Sequence, residues 1–208
     1  PLWDEGFKLG HSVRSVEQTL RLASTDLETA TSLLNARLVA GDATLLEELL
    51  TRNEDQWVSH GLDRLDELAR NVTRRHRLSG EVAFLLEPDL KEGRGGLRDV
   101  HAIDWAVRAG VEVPVHDHER LAEAYQVLLE ARVELHRISR KRGDVLLLEE
   151  QDSVAAAIGD DDADILMGRV AAAARTVAYL SDEIWRHIDR ESAEEVSVEI
   201  EVAGLTVA

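Results

Sequence analysis

The chain contains no cysteine among its 208 residues, which excludes disulfide bonds and thiolate metal sites and fits a reducing compartment. It also has no apolar run near the roughly 20 residues that a membrane-spanning helix needs. Its first residues lack the charged segment and apolar stretch that mark a signal peptide. We therefore expect no membrane association and a cytoplasmic location.

Positive charge is scarce as well, since the formal net charge is −17. General nucleic-acid binding needs a basic surface, so we expect no nucleic-acid partner. The acid is unevenly spread: residues 144–208 are strongly acidic, whereas residues 70–108 carry slightly more basic than acidic side chains. This basic middle is consistent with a nucleotide or phosphate ligand. For Arg70, Arg74, Arg75 and Arg77 the pattern favours an ordinary charged helix surface.

The sequence is rich in helical patterns of apolar residues. Of its residues, 44% are hydrophobic and 31% are charged. Apolar residues at helical spacing predict about four antiparallel helices over residues 54–78, 97–109, 121–138 and 166–188. Thr25 and Glu28 have the spacing of a capping box, Gly41 is predicted to end the helix that follows, and Asp42 is predicted to cap the next helix. The fold class is therefore mainly α, an antiparallel helical bundle.

Two short segments predict strands at the ends of the chain. Phe7 to Arg14 alternates apolar and polar residues, which places Ser12 and Arg14 on one polar face. Val196 to Val202 alternates in the same way, with Leu205 to Val207 as a return strand. Because two strands alone are marginal and the chain opens on Pro1, we expect it to be a segment of a longer protein.

A glycine-rich segment precedes the helix predicted from Leu97. Gly93, Gly95 and Gly96 alternate with cations and allow backbone N–H groups to approach a ligand, while the following helix directs its positive dipole end into the same space. Lys91, Arg94 and Arg98 add mobile positive charge. The pattern predicts an anion-binding loop, and glycine spacing alone is equally typical of a tight connection between packed helices.

The motif Lys-x-Gly-x-Gly-Gly-Leu-Arg-Asp over residues 91–99 resembles that of bacterial PII uridylyltransferases. Further stretches resemble the same family in the same order: Leu2-Trp3-Asp4, Gly10-His11-Ser12-Val13-Arg14, residues 36–42, residues 146–152 and Ala174-Arg175-Thr176-Val177. Glutamine-synthetase adenylyltransferases share part of the pattern, but residues 10–14 look more like the uridylyltransferases.

The resemblance implies a domain organisation and an activity. Residues 1–42 would end a nucleotidyltransferase domain, residues 43–190 would form a helical bundle of the nucleotidyltransferase substrate-binding type, and residues 191–208 would begin a following β segment. The whole enzyme would transfer UMP from UTP to the PII nitrogen-regulatory protein, remove it through a separate hydrolase domain, and respond to glutamine. It would use Mg²⁺, held by an Asp-x-Asp pair upstream of this chain.

The resemblance also implies a set of site residues: Ser12 and Arg14 would flank the nucleotide, while Lys91, Gly93, Gly95, Gly96 and Arg98 would contact its phosphates or hold the loop that does. No catalytic residue and no metal ligand is expected within the chain. Alternatively, Asp99 would hold Arg98 in place by pairing with it, which is a structural role.

Two further clusters resemble metal ligands but fit other roles. Asp160 to Asp164 lies at a predicted helix start, where carboxylates favour the positive end of the helix dipole, so we interpret it as a cap. His116-Asp117-His118-Glu119 follows Pro114 in a short link, and we interpret Asp117 as a cap and the histidines as exposed.

Two other functions stay open at this point. The same fold transfers AMP from ATP to PII or to glutamine synthetase, and phosphate contacts do not distinguish the two nucleotides. Alternatively, the chain is a non-catalytic helical interaction module that is indifferent to nucleotide.

Overall fold

A computed structural model of the chain describes residues 10–140 and 143–202. Within these residues the structure is mainly helical, which confirms the mainly α part of the predicted fold class, and β structure is limited to two isolated bridges. The helices in chain order are α1 (Val16–Ala23), α2 (Leu27–Leu34), α3 (Ala43–Ser59), α4 (Gly61–Ser79), a 3₁₀ turn (Val82–Phe84), α5 (Leu97–Arg108), α6 (Val115–Ser139), α7 (Leu148–Ile158) and α8 (Ala163–Val202).

The predicted terminal strands are wrong wherever the structure describes them. Residues 10–14 form no regular secondary structure, while Phe7 to Leu9 lie outside the described residues. Val196 to Val202 continues α8 as helix, and Leu205 to Val207 lies outside the described residues. No glycine or proline separates this segment from the body of α8, so extending the helix adds one hydrogen bond per residue, whereas a strand would need a partner.

The contacts divide the chain into two compact units, Pro1–Ser59 and His60–Ala208. In the first, α1, α2 and α3 pack on one another around buried side chains that include Leu20, Ala30 and Trp57. Asn53 Nδ2 in α3 donates to the carbonyl oxygen of Ala30 in α2 (3.3 Å). The contacts thus place residues 43–59 in the first unit, while the predicted domain boundaries after residues 42 and 190 stay predictions.

The second unit has one hydrophobic core. Helix α8 packs on α4, α5, α6, α7 and the 3₁₀ turn, and its Leu166, Val170, Ala174 and Val177 are wholly buried. Leu128, Ala131 and Leu135 of α6 meet the same core. Helix α8 is therefore the element around which the others assemble.

Several predicted helix ends differ from the observed ones. The first capping box joins Ser15 to Gln18 at the start of α1, and Asp26 rather than Thr25 caps α2 by accepting the N–H of Thr29 (2.8 Å). Thr25 and Asp26 are adjacent, and a spacing of three residues fits both Thr25 with Glu28 and Asp26 with Thr29, so the spacing alone does not identify the cap. Helix α2 ends at Leu34, well before Gly41. The Asp42 cap is confirmed, since Oδ1 of this residue accepts the N–H of Thr44 (2.9 Å).

The helix predicted over residues 54–78 is two helices. His60 has non-helical dihedral angles (φ −111°, ψ 26°) and Gly61 begins α4, so the glycine in the pattern marks a break. Helix α5 ends one residue earlier than predicted, and α6 and α8 contain their predicted ranges. Helix α7 was not predicted. The assignment to the nucleotidyltransferase substrate-binding type of bundle stays a prediction.

Candidate anion-binding site

The glycine loop, residues 87–96, is held by its own backbone. Asp89 Oδ1 accepts the N–H groups of Lys91 (2.9 Å) and Glu92 (2.8 Å), which folds the chain into a tight turn. Every backbone N–H from residue 90 to residue 99 donates to an oxygen atom of the protein. The loop therefore presents no row of free N–H groups to a ligand, in contrast to the predicted phosphate cradle.

The three glycines of the loop are explained by close packing. A Cβ atom on Gly95, whose φ is +82°, would lie 2.3 Å from the carbonyl oxygen of Ala174 in α8. A Cβ on Gly93 would lie 2.7 Å from Val82 Cγ2, and one on Gly96 would lie 2.8 Å from the carbonyl oxygen of Gly93. These distances are far below ordinary contact, so Gly95 allows the loop to pack against α8, while Gly93 and Gly96 allow it to pack on Val82 and on its own backbone. That they also bind phosphate stays a prediction.

Asp99, in the first turn of α5, fixes the loop to α4. Its side chain is fully buried and pairs with Arg75 of α4, and it lies 2.8 Å from His76 Nε2. Its Oδ2 accepts the backbone N–H of Gly95 (2.7 Å). The predicted pairing of Asp99 with Arg98 is wrong, because adjacent residues of a helix point in different directions. Arg75 is likewise not a simple surface cation.

The opposite side of the loop is bound to the segment that follows α6. The N–H of Leu90 donates to the carbonyl oxygen of Asp144, and the N–H of Leu146 donates to that of Pro88 (2.9 Å each). Gln151 Nε2 donates to the carbonyl oxygen of Leu86 (2.8 Å). Asp144 is thereby carried next to the cations of the glycine loop.

Three cations and two carboxylates meet there, and we call this group the cation cluster: Lys91, Glu92, Arg98, Arg132 and Asp144. Arg132 Nε donates to Asp144 Oδ1 (2.6 Å), and Lys91 Nζ lies 3.7 Å from both Asp144 Oδ2 and Glu92 Oε1. Arg98 Nε lies 3.3 Å from Glu92 Oε1. The three cations outnumber the carboxylates by one, so the cluster carries excess positive charge on a strongly acidic chain.

The charges of the cluster lower the pKa of its own member Asp144 and that of the neighbouring His101. Burial raises the pKa of Asp144, but hydrogen bonds from Arg132 and His136 and the charges of Arg132 and Lys91 outweigh burial and hold this pKa below its ordinary value. The pKa of His101 is lowered by burial first and then by the positive charges of Arg98, Lys91 and Arg132, against the opposing charge of Asp104. Asp144 is therefore ionised and His101 neutral near pH 7.

The structure thus brings two of the predicted site residues together. Lys91 and Arg98 lie in one cluster, where both side chains are partly exposed to solvent. Arg94 instead pairs with Glu81 (2.8 Å) and Asp182 (2.6 Å), as a structural cation. Ser12 and Arg14 lie in the exposed segment before α1, in the first unit, and their role toward a nucleotide stays a prediction.

Sequence reasoning missed Arg132, His101 and Asp144. Arg132 and His101 stand on helices, where the periodicity of apolar residues shows which face is buried but not which other helix it meets. Asp144 is an isolated carboxylate in the connection between α6 and α7, and no local pattern distinguishes it.

The two clusters that resemble metal ligands, residues 160–164 and 116–119, lie at the starts of α8 and α6. Asp162 Oδ1 accepts the N–H of Ile165 (2.9 Å), which confirms capping of α8. The capping role of Asp117 is wrong: Pro114 stands at the N-cap of α6 and no side chain caps it. Asp117 lies 3.1 Å from Arg120 and 3.2 Å from His116 instead.

Within the described residues, no three or more His, Asp or Glu side chains are placed to hold a metal ion together. The helices described here also include none with the length and apolar content needed to cross a bilayer.

The chain resembles known proteins over most of its length. The model of the family GlnD PII-uridylyltransferase matches residues 63–114 and 107–185. This match contains the glycine loop and all five members of the cation cluster. No solved structure matches the chain.

Curated relatives share one name, bifunctional uridylyltransferase/uridylyl-removing enzyme. The relative from Streptomyces coelicolor is 44% identical over 192 residues, covering 91% of this chain and 22% of that protein. The one from Mycobacterium tuberculosis H37Rv is 39% identical over 185 residues, covering 86% and 23%. The one from Nitrosococcus oceani is 35% identical over 175 residues, covering 77% and 19%.

The chain thus spans about a fifth of the length of these relatives. The family match extends from α4 into α8 and includes the loop that these helices support. The chain therefore belongs to the GlnD PII-uridylyltransferase family.

Proposed function

We propose that this chain is the helical part of an enzyme that transfers UMP from UTP to the PII nitrogen-regulatory protein and removes it again in a separate hydrolase domain. The observation that carries the proposal is the cation cluster, which lies in the stretch that the family model matches. Lys91, Arg98 and Arg132 meet there on a chain of net charge −17. Such a local excess of positive charge is suited to a polyanionic nucleotide.

The cations would bind the phosphate oxygens of UTP and hold the nucleotide in place during transfer. Arg98 and Arg132 offer planar guanidinium groups that can contact two oxygens at once, and Lys91 offers a mobile point charge. Each is already paired with Glu92 or Asp144, so these carboxylates keep the cations oriented before the ligand arrives.

Nucleotidyl transfer would also need Mg²⁺, whose chemical contribution would be to neutralise charge on the phosphates. Among the described residues no three or more His, Asp or Glu side chains lie together to hold this ion, so its ligands would come from the Asp-x-Asp pair of the whole enzyme. Glutamine as an effector and a cytoplasmic location belong to the same proposal for the whole protein.

The proposal is tested by calorimetric titration of the full-length protein with UTP and with ATP, each with Mg²⁺. Arg98→Ala and Arg132→Ala should each weaken UTP binding about tenfold, the cost of one charge-assisted hydrogen bond. Arg137→Ala is the matched control, since this arginine stands on α6, is largely exposed and pairs with Glu134. It should bind UTP as the unchanged protein does.

Each other outcome has a definite meaning. If a folded protein binds neither nucleotide, the chain is part of a non-catalytic module and the proposal is wrong. Tighter binding of ATP than of UTP would make the enzyme an adenylyltransferase. Equal UTP binding by both variants and the control would show that the cation cluster is not the phosphate site.

A further inference from the structure

A crevice of about 280 Å³ lies between α5 and α6. Its walls include His101 and Val107 of α5 together with His118, Leu121 and Tyr125 of α6. Most of this lining is apolar or aromatic. Small-molecule sites have this character, apolar walls with a few placed polar groups, and the volume is at the small end of their range.

The crevice lies close to the cation cluster. Arg98 and His101 are three residues apart and share one face of α5, while Tyr125 and Arg132 are seven residues apart and share one face of α6. His101 and Tyr125 face each other across the crevice, with ring centroids 6.2 Å apart, and the charges of Arg98, Lys91 and Arg132 act on His101. The cation cluster therefore lies beside the His101 part of the crevice.

His101 is one of the polar side chains that line the crevice, together with Asp104 and His118. Its ring packs 6.1 Å from the ring of Trp105 and 6.2 Å from that of Tyr125. In the described part of the chain its ring nitrogens make no hydrogen bond, although the side chain is half-buried. Because burial and the nearby cations lower its pKa, the imidazole is neutral and offers one N–H donor and one acceptor nitrogen.

We propose that the nucleoside part of UTP occupies this crevice, with His101 hydrogen-bonded to a ribose hydroxyl or a base amide and the phosphates bound by the cation cluster. This inference rests on the proposed function and identifies the part of the site that reads the nucleoside. The aromatic face of Tyr125 suits a flat base.

Calorimetric titration of the full-length protein with UTP and with inorganic triphosphate separates the two parts of the site, because triphosphate lacks the nucleoside. His101→Ala should weaken UTP binding about tenfold, the value of one lost hydrogen bond with its packing, and leave triphosphate binding unchanged. Arg98→Ala should weaken both. His116→Ala, an exposed histidine in the first turn of α6, should change neither.

A second variant distinguishes lost nucleoside binding from a folding defect caused by His101→Ala. Ala122 is exposed on α6 and lines the crevice, so Ala122→Trp should block the nucleoside without disturbing the core. This variant should weaken UTP binding at least tenfold and leave the binding of inorganic triphosphate unchanged. Glu123→Trp is its control, since Glu123 is the next exposed residue of the helix and does not line the crevice.

The outcomes distinguish this inference from the proposed function. If Arg98→Ala weakens both ligands while His101→Ala and Ala122→Trp bind UTP normally, the crevice is not the nucleoside site and the proposed function stands. If His101→Ala weakens UTP and triphosphate equally, its role is in phosphate binding or folding and the inference is overturned. If Arg98→Ala changes neither ligand, the proposed phosphate site itself is wrong.

Discussion

Asp99 explains why an arginine and an aspartate follow the glycines of this motif. The carboxylate is fully buried, yet it is bound by a cation and a histidine of α4 and by the N–H of Gly95. A buried charge is tolerated only with such partners. Arg98, the next residue in the motif, points instead to Glu92 and the cation cluster. Adjacent motif residues therefore have different roles: Asp99 stabilises the fold, and Arg98 belongs to the partly exposed cation cluster.

Asp99→Asn should destabilise the chain strongly. The substitution keeps the shape of the side chain but leaves the partly buried guanidinium of Arg75 without its counter-charge, which costs about 3–5 kcal/mol when one partner of a buried pair is removed. The measurement is the free energy of unfolding by chemical denaturation.

Asp104→Asn is the matched control on the same helix. Asp104 forms an exposed pair with Arg108, and such pairs contribute about 0–1 kcal/mol. Equal losses of stability in the two variants would contradict the prediction that the buried pair of Asp99 contributes more to stability than the exposed pair of Asp104.

The candidate site shows which residues a sequence can identify. Lys91 and Arg98 were predictable because they stand in a local motif with glycines. Arg132 and His101 were not, because each reaches the site only through the packing of α5 against α6. Asp144 reaches it through the hydrogen bond of its carbonyl group with Leu90. Long-range packing of this kind leaves no mark on the spacing of neighbouring residues.

At the scale of elements, the glycine loop and α8 form one packed unit. The Gly95 backbone approaches the carbonyl oxygen of Ala174 so closely that no side chain fits between them. Both residues lie in stretches that the sequence analysis associated with the same family, although they are far apart in the chain. Their contact gives a physical reason for both stretches, since a small residue on each side brings the loop against the helix.

Gly95→Ala should destabilise the chain by about 2–4 kcal/mol. The methyl group would meet the α8 backbone and would stand on a residue with positive φ, so overpacking and backbone strain add together. Thermal or chemical unfolding of the purified chain measures the loss.

Gly168→Ala is a control that should change the stability of the chain in the opposite direction. Gly168 lies within α8, and a Cβ atom there meets nothing within 4 Å, so alanine should stabilise the helix by about 0.5–1 kcal/mol. Unchanged stability in Gly95→Ala would mean that the loop can move away from α8 at little cost.

The elements themselves were predictable to different degrees. Helices α5, α6 and α8 were found because each presents an apolar stripe at helical spacing to a common core. The predicted strand at residues 196–202 was wrong because a short alternating pattern has no partner strand, and the helix before it continues without a breaker. Helix α7 was missed because its buried side chains are few and include Gln151.

At the scale of the whole molecule, the hydrophobic core of the second unit is built from its own residues. The buried cluster begins at Leu65 and ends at Ile188. Helix α8 contributes the largest share of wholly buried side chains, and it packs on every helix of this unit. The second unit thus has the property that defines a domain, a hydrophobic core of its own.

A protein made of residues 60–202 should therefore fold by itself. Its chemical unfolding should be cooperative, with coincident transitions in far-ultraviolet circular dichroism and in the fluorescence of Trp105 and Trp185. Residues 60–158, which end after α7, should show no cooperative transition, because removing α8 exposes the apolar faces of α5 and α6. A gradual, probe-dependent loss of structure in the longer protein would show that this core is not sufficient for folding. A cooperative transition in the shorter one would show that α8 is not its organising element.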